Sequence, residues 1–349
     1  MKGVAIMVTK IGIDLGYANI TLSNVVADIY REPSVILMDK DTRRILSIGA
    51  KAAYGDNSEQ SGILVRPFKN GMLYSSDLTA EIISNIVKAV KPAEKIRCVF
   101  GTPSDMIPKQ ESELSSMLTA AGVDEVFFVK RPIAALVGAG YAPTISAVSV
   151  NIGASSTEIA VIHKGKILSL AREQIGGEDF DKAIRDHILG QGEMNVSILV
   201  ARTIKERLGA VWQGRPSESI DIEGTLSLTG NKIKMSISTE DVVGVFESPL
   251  QKLLYAIAAS VKKIPIDCVS DIFENGIILT GGGAELFGIE IMIEKVLGVS
   301  VVKPDSPIDA VAKGLSRIHT FIPQIHGSNG KNISEKLSKF YESKKNNSK

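Results

Sequence analysis

The sequence predicts an α/β protein built from two similar domains, and three observations support this fold class. Two short β-rich stretches, residues 11–23 and 148–162, each cross a central glycine, and they align 137 residues apart. Apolar segments with helical spacing alternate with short apolar strands along the chain. A third glycine turn, Gly281–Gly283, follows another apolar strand. A unit that occurs twice indicates two related domains that face each other.

The composition sets limits on the function. The chain has 349 residues and 44% hydrophobic residues, enough for a globular protein of about two domains. Lys plus Arg total 40 and Asp plus Glu total 39, so no overall field favours nucleic acid, and we expect no direct nucleic-acid partner. Cys98 and Cys268 have no CxxC spacing, which makes a reducing cytoplasm the default location.

No stretch approaches the roughly 20 apolar residues of a membrane helix. The first residues, "MKGVAIMVTK", carry five apolar residues in a row and precede the first strand. This run is either a small membrane foot or the product of a start codon placed too early. We therefore expect a cytoplasmic protein, with at most weak contact to a membrane surface.

The two β-rich stretches are expected to form hairpins with unusually bare turns. In the alignment Asp14 falls on Asn151, Gly16 on Gly153 and Asn19 on Ser156. A turn without bulky side chains lets backbone N–H groups approach an anion closely. Either hairpin alone is typical of an ordinary tight turn, but two facing hairpins can hold the phosphates of a nucleotide from both sides.

Helices and strands are expected to alternate between the hairpins. Asp77 is predicted to be the N-cap of the helix "LTAEIISNIVKAV". A buried strand, "IRCVFGTP", precedes a helix that ends at Gly122. The segment "VDEVFFVKRPIAALVGAG" is expected to be a strand and then a helix with Pro132 in its first turn.

After the second hairpin we expect two helices, a hairpin around Gly230, and a long helix that Pro249 kinks or divides. The strand of "ILTGGGAELFG" then enters the triple-glycine turn and another helix, which brings backbone amides to a phosphate or nucleoside. This turn is neither G-x-G-x-x-G nor a Walker loop. From about residue 329 the chain has six lysines and two glutamates, which predicts a solvated charged tail.

These three turns, in this order, resemble the phosphate and adenosine motifs of the actin-like ATPase superfamily. Within it, "IDLGYANI", "RPFKNGML", "VKRPIAALVGAG" and "ILTGGGAEL" are similar to motifs of the MreB-type bacterial actins, and "MNVSILVARTIKERLG" also resembles the MamK filament actins. The resemblance runs from about Thr9 to Ile322. It implies the actin-like two-domain fold, with duplicated ribonuclease H-like cores and a nucleotide cleft between the domains.

The resemblance also implies domain boundaries. The first domain would span residues 1–143 plus 306–330, with an outer subdomain at about 33–76. The second would span 144–305, with an outer subdomain at about 181–240, and residues 331–349 would be the tail.

The resemblance further implies a binding site for ATP or GTP with Mg²⁺. Asp14 and Asn151 would hold the metal ion through water. The residues that would contact the nucleotide lie in the three glycine turns, at a ribose position and beside the adenosine: Gly16, Tyr17, Ala18, Asn19, Gly153, Ala154, Ser155, Ser156, Thr157, Gly177, Lys205, Glu206, Gly281, Gly282 and Gly283.

Two residues depart from the family pattern. Arg131, preceded by Lys130, stands where MreB-type proteins have a glutamate that positions the attacking water, and Asn151 replaces an aspartate. Arginine cannot act as a base. Arg131 would contact the γ-phosphate or turn to a surface carboxylate, and Thr157 could hold a water. We therefore predict tight nucleotide binding with slow hydrolysis, while ordinary hydrolysis by another route stays open.

The function implied is a nucleotide-dependent, filament-forming bacterial cytoskeletal protein that polymerises with itself. Its task would be cell shape or the positioning of organelles or DNA. A small-molecule kinase, or a nucleotide-binding scaffold that does not hydrolyse, is the alternative, because the fold alone does not decide between them.

Overall fold

The computed structural model describes residues 8–24, 29–55, 62–69, 72–73, 75–90, 95–192, 194–322, 331–334 and 336–347. Two large mixed sheets are covered by helices, and smaller sheets extend from each of them. The predicted α/β class is therefore confirmed.

Ten strands and four helices precede the second hairpin in the described part of the chain. The strands are β1 (Val8–Leu15), β2 (Asn19–Asn24), β3 (Ile29–Pro33), β4 (Ile36–Asp39), β5 (Ile45–Ile48), β6 (Gly62–Val65), β7 (Phe68–Lys69), β8 (Met72–Leu73), β9 (Lys95–Thr102) and β10 (Glu125–Lys130). The helices are α1 (Ala50–Tyr54), α2 (Ser76–Lys88), α3 (Pro108–Ala120) and α4 (Arg131–Gly138).

The remaining described elements begin with the second hairpin. The strands are β11 (Ala147–Ile152), β12 (Thr157–His163), β13 (Lys166–Glu173), β14 (Met194–Asn195), β15 (Ser219–Leu226), β16 (Lys232–Ser238), β17 (Ile277–Thr280), β18 (Val301–Val302) and β19 (Lys331–Asn332). The helices are α5 (Gly177–Gly192), α6 (Ile198–Leu208), α7 (Glu247–Val261), α8 (Val269–Phe273), α9 (Ile289–Leu297), α10 (Ala310–Ile318) and α11 (Leu337–Asn347).

The two large sheets share one topology. The first has the order β19-β10-β9-β1-β2-β3, and the second has the order β13-β12-β11-β17-β18. In each, three consecutive antiparallel strands are continued by parallel ones, since β1 pairs in parallel with β9 and β11 with β17. Both predicted hairpins are confirmed, and the repeated topology accounts for the repeated sequence pattern.

Burial follows from how these sheets are covered. β11 is buried at all six positions because helices lie on both of its faces, and its sequence AVSVNI is accordingly almost continuous in small and apolar residues. Ile11, Ile13 and Leu15 of β1 are each at most 1% exposed and pack with α2 and α3. The hairpins are therefore anchored in rigid cores, which fixes the position of their turns.

Helices α4 and α10 pack against each other where the two domains meet. A β-carbon on Gly138 would lie 1.7 Å from the Ala310 carbonyl oxygen, and one on Gly314 would lie 1.8 Å from that of Ala134. Two glycines therefore let the backbones of the helices touch. Their apolar neighbours form one core cluster with residues of both sheets, so this helix pair joins the domains.

Two local predictions need correction. The side chain of Ser75, not that of Asp77, caps α2 by accepting a hydrogen bond from the Leu78 N–H, and Asp77 lies in the first turn. The serine was missed because the acidic residue lies closer to the apolar run. The long helix is broken at Gly244, which has φ of +80°, so Pro249 lies in the first turn of α7 and does not divide it.

The predicted solvated tail is also wrong around Ile333 and Leu337. β19 extends the first sheet in parallel with β10, and the Ile333 N–H donates to the Phe128 carbonyl at 2.8 Å. Ile333 and Leu337 are fully buried in the core cluster between the domains. Ile333 and Leu337 thus anchor a segment that is rich in lysine, because each of them fills a buried site at the edge of the sheet. The domain boundaries near residues 143 and 305 stay predictions.

Candidate nucleotide site

A cleft opens between the turns of the two hairpins. It consists of two adjoining cavities of about 440 and 130 Å³ that share Ala18, Asn19, Gly153, Ala154 and Gly282 in their walls. Cavities of a few hundred cubic ångströms between domains are typical ligand sites. The larger cavity extends towards α5 and α6, and the smaller one lies over the ends of β1 and β11.

The hairpin turns have the same internal hydrogen bond. The Gly16 N–H donates to the Asn19 carbonyl at 2.9 Å, and the Gly153 N–H donates to the Ser156 carbonyl at 2.9 Å. A β-carbon on Gly16 would come within 2.8 Å of that Asn19 oxygen, so this turn admits no larger residue without a shift. Two equivalent tight turns, one from each domain, therefore face the same space.

The third turn closes the cleft from the second domain. Gly281 has φ of +84° and donates its N–H to the Pro307 carbonyl at 2.8 Å. A β-carbon on Gly283 would lie 2.2 Å from Cγ2 of Ile152, whereas one on Gly282 would make only ordinary contact with Ile308 at 3.6 Å. A larger residue at Gly281 or Gly283 would therefore disturb the turn itself. A side chain at position 282 would instead point into the cavities.

Helices α5 and α6 form the far wall of the larger cavity. Lys205 Nζ lies 2.6 Å from Oδ1 of Asp181 and donates to the Gly177 carbonyl at 3.0 Å. Asp181 is fully buried, and Nε of Arg202 donates to its other oxygen at 3.2 Å. Gly177, Lys205 and Glu206 line this cavity, so the structure brings the predicted ribose and adenosine positions together.

Arg131 lies at the base of the smaller cavity, at the start of α4. Nε of Arg131 donates to Oδ1 of Asp14 at 2.6 Å, Nη1 donates to Oε1 of Glu158 at 3.1 Å, and Nη2 donates to the Leu15 carbonyl at 2.5 Å. Burial disfavours the charged guanidinium, but the two carboxylates outweigh this effect and raise the pKa of Arg131 above its ordinary value. The alternative of a surface carboxylate is therefore wrong, since both partners lie inside the cleft.

Glu158 connects the two domains at this point. It is 2% exposed on β12, and its Oε2 accepts hydrogen bonds from both the N–H and the hydroxyl of Ser104, each at 2.8 Å. Ser104 follows β9 and Arg131 follows β10, and both strands belong to the first sheet. We call Asp14, Ser104, Arg131 and Glu158 the base cluster; it joins the two hairpins by charged hydrogen bonds.

A second contact crosses the cleft at the Tyr17 turn. The Tyr17 hydroxyl hydrogen-bonds to Glu178 on α5, and burial, followed by the charge of that glutamate, raises the pKa of Tyr17. Burial also raises the pKa of Glu178. The guanidinium of Arg66 lies over the tyrosine ring at 4.8 Å and donates to the Tyr17 carbonyl at 2.8 Å.

The predicted role of Thr157 in the site needs correction. It is fully buried, lines neither cavity, and donates its hydroxyl to the Ile175 carbonyl at 2.7 Å. Side chains alternate between the two faces of a strand, and the Thr157 side chain lies on the face opposite to that of Glu158, which lines the smaller cavity. The Thr157 hydroxyl is therefore not directed at a water in the cleft. Asn151 does line the smaller cavity, but its Oδ1 accepts a hydrogen bond from Thr280 at 3.5 Å.

The other predicted residues of the hairpin turns line the cleft. They are Gly16, Tyr17, Ala18, Asn19, Gly153, Ala154, Ser155 and Ser156, and the smaller cavity also includes Asp14, Arg131, Asn151 and Gly281. The sequence analysis missed Glu158, Glu178, Asp181 and Arg202. Arg202 could have been found from its i, i+3 spacing to Lys205, and Asp181 from its i, i+4 spacing to Gly177, whereas Glu178 directly follows Gly177 and has no such spacing.

Two duplicated sheets that face each other across such a cleft define the actin-like class of proteins. The family model described as "MreB/Mbl protein" matches residues 8–326. The chain therefore belongs to the MreB/Mbl family.

Individual relatives agree with this assignment. The chain is 27% identical over 312 residues to the cell shape-determining protein Mbl of Bacillus cereus, which covers 87% of this chain and 93% of the relative. It is 27% identical over 321 residues to the cell shape-determining protein MreB of Escherichia coli, with 87% and 91% covered.

Solved structures have the same fold. MreB5 of Spiroplasma citri bound to AMPPNP superposes with a TM-score of 0.84 at 20% identity, covering 91% of this chain and 97% of that one. A MamK double helical filament gives 0.76 at 20% identity, covering 90% and 99%. Within the described residues, no helix has the length and apolar character needed to cross a membrane.

Proposed function

We propose that this protein is a filament-forming bacterial actin homologue that binds ATP or GTP in the cleft between its domains. The observation that carries the proposal is the convergence of three glycine turns, two from the second domain and one from the first, on adjoining cavities. Backbone N–H groups in such turns suit phosphate oxygens. The resemblance to MreB5, whose structures contain AMPPNP and ADP, supports a nucleotide as the ligand.

The residues divide between the two cavities by chemistry. In the proposed complex the phosphates lie between the Gly16 and Gly153 turns, where bare backbone is available. The nucleoside lies in the larger cavity, where Gly282 leaves room and Lys205 and Glu206 flank it. Asp181 and Arg202 orient Lys205, because the lysine is tied to a buried carboxylate.

We further propose that hydrolysis is slow. Arg131 is held by two carboxylates, Thr157 is turned into the sheet, and Asn151 contributes no charge. Glu158 is the carboxylate at the base of the cleft on the second-domain side, but both of its oxygens accept hydrogen bonds from the first domain. Arg131 and Glu158 therefore provide no free general base for an attacking water.

Polymerisation is the second part of the proposal. It rests on membership of the MreB/Mbl family and on the resemblance to a MamK double helical filament. The names of the relatives point to cell shape as the task, and the MamK structure is a double helical filament. We propose a cytoplasmic location, with weak membrane contact through the apolar run that begins at Val4, most of which lies outside the described residues. Liposome flotation that is unchanged by removal of residues 1–6 would contradict this contact.

Nucleotide binding is tested by replacing Gly282 with valine. Its β-carbon would make only ordinary contact with Ile308 at 3.6 Å and its methyl groups would reduce the cavity, so binding of a fluorescent ATP analogue should weaken by at least about tenfold. Gly190→Val is the matched control, because Gly190 is a helical glycine with no atom near its β-carbon position. Equal affinity of folded Gly282→Val and wild type would refute the site.

Polymerisation is tested by sedimentation and negative-stain electron microscopy with and without nucleotide. We expect filaments with ATP. A protein that binds nucleotide and yet stays monomeric across salt and protein concentration would instead favour the small-molecule kinase or the scaffold.

A further inference from the structure

The base cluster places a cation at the phosphate end of this cleft. Arg131 pairs with both Asp14 and Glu158, so the cluster has a formal charge of −1, and the neighbouring Asn151 is an uncharged amide. Arg131 therefore already offsets one of the two carboxylates that could attract a divalent cation here.

The donors that remain do not suit Mg²⁺. The ion prefers anionic oxygen ligands and keeps several waters. Oδ1 of Asp14 is hydrogen-bonded to Nε of Arg131 at 2.6 Å, and Oδ1 of Asn151 belongs to an uncharged amide. A hydrated Mg²⁺ on Asp14 would also lie beside a guanidinium and be repelled by it.

Arg131 is fixed in this position. It is 7% exposed, and all three of its nitrogens donate to partners in the two domains. A buried guanidinium in this network stays charged and cannot leave without stranding Asp14 and Glu158 in the interior. The Arg131 guanidinium is consequently a permanent positive charge at the phosphate end of the cleft.

We propose that Arg131 keeps a divalent cation away from the phosphate end of the cleft, so that this protein binds a nucleoside di- or triphosphate without a requirement for Mg²⁺. The inference rests on the proposed nucleotide function and adds a property to it. Arg131 acts here as a positioning residue that neutralises Asp14 and keeps the metal away. The ligand is then the metal-free nucleotide anion, whose phosphates are held by the backbone N–H groups of the glycine turns.

The experiment measures the affinity for a fluorescent ATP analogue in excess Mg²⁺ and in EDTA, at constant ionic strength. Wild type should differ less than about threefold between the two conditions. Arg131→Gln removes the cation and frees Asp14, so its affinity in EDTA should be at least about tenfold lower than in Mg²⁺. Arg97→Gln is the matched control, since Arg97 pairs with Glu125 on the first sheet, away from the cleft. It should behave as wild type.

A second variant covers the case in which Arg131→Gln does not fold. Asn151→Asp leaves Arg131 in place and adds a carboxylate at the cleft, so its affinity should become dependent on Mg²⁺. Wild-type binding that falls tenfold or more in EDTA overturns the inference and leaves the nucleotide function standing. If the ATP analogue binds neither in Mg²⁺ nor in EDTA, the proposed nucleotide function itself is wrong. Failure of the inference and failure of the proposed function can therefore be distinguished.

Discussion

Arg131 and Asn151 are the residues whose replacement should change the rate of hydrolysis. Arg131→Glu with Asn151→Asp supplies a group that can orient water and a charge that can attract Mg²⁺. Such a group contributes about 10²–10⁴ in rate, so phosphate release from filaments should increase by at least about tenfold. The new glutamate would face Glu158 and Asp14, and the gain should therefore require Mg²⁺. A wild type that is already as fast as the double variant would contradict slow hydrolysis.

His319 predicts how stability depends on pH. It is 1% exposed, its Nε2 bonds the Ile11 carbonyl at 2.8 Å, and burial lowers its pKa to about 4 from an ordinary 6.5, with Arg97 and Lys10 acting in the same direction. Because the folded-state pKa is the lower one, the unfolded chain takes up the proton first as pH falls. Stability of up to about 3 kcal/mol should therefore be lost between pH 6.5 and 4.

Chemical denaturation across this pH range measures the effect. His319→Gln keeps an N–H donor for Ile11 but has no titrating group, so its free energy of unfolding should fall less over the same interval. Parallel pH profiles for the two proteins would show that His319 is not the responsible group.

At the residue scale, the sequence predicted the positions of the glycine turns well because backbone geometry limits which residues fit there. It did not predict the partners of Arg131. Those partners, Asp14 and Glu158, lie 117 and 27 residues away along the chain and meet only when the two hairpins face each other. Likewise, the side chain of Thr157 faces the sheet because of the register of β12, which the residue type alone does not define.

At the element scale, the C-terminal segment should contribute strongly to stability. Leu337 is fully buried at the start of α11, and Leu337→Ala should lower the free energy of unfolding by about 2–4 kcal/mol. Leu228→Ala is the matched control, since Leu228 is 85% exposed and should change stability by less than about 0.5 kcal/mol. Equal midpoints of denaturation for the two variants would mean that the segment does not pack as described.

The contacts of this segment explain why it was predicted poorly. The Lys130 N–H donates to the Ser334 hydroxyl at 2.7 Å, and Asn332 donates to Glu111 at 2.8 Å. In the sequence, Ser334 and Asn332 are short polar residues that cannot be told from ordinary surface positions. The hairpins, by contrast, have an alternating pattern that is visible without knowledge of the fold.

At the scale of the whole molecule, the contact between α4 and α10 should control how the domains meet. Gly314→Ala puts a methyl group 1.8 Å from the Ala134 carbonyl, so the helices must separate. Overpacking of this kind costs about 1–3 kcal/mol or more. Because α4 begins at Arg131, nucleotide affinity should fall together with thermal stability.

Gly190→Ala is the control for this substitution, since its β-carbon meets no atom within 4 Å. A Gly314→Ala protein with wild-type melting temperature and affinity would indicate that the helix pair does not hold the domains together. The sequence suggested two domains through its repeat, but not this contact, since glycines inside helices give no signal of what approaches them.

The pairing of β19 with β10 also has a consequence for synthesis. The edge of the first sheet emerges from the ribosome at Lys130, and the strand that covers it emerges about two hundred residues later, at Lys331. At about 5–20 residues per second this interval lasts roughly 10–40 s. The nascent first domain therefore exposes an unpaired strand edge throughout the translation of the second domain, and the chain is most vulnerable to misassembly with its neighbours on the same messenger RNA during that time.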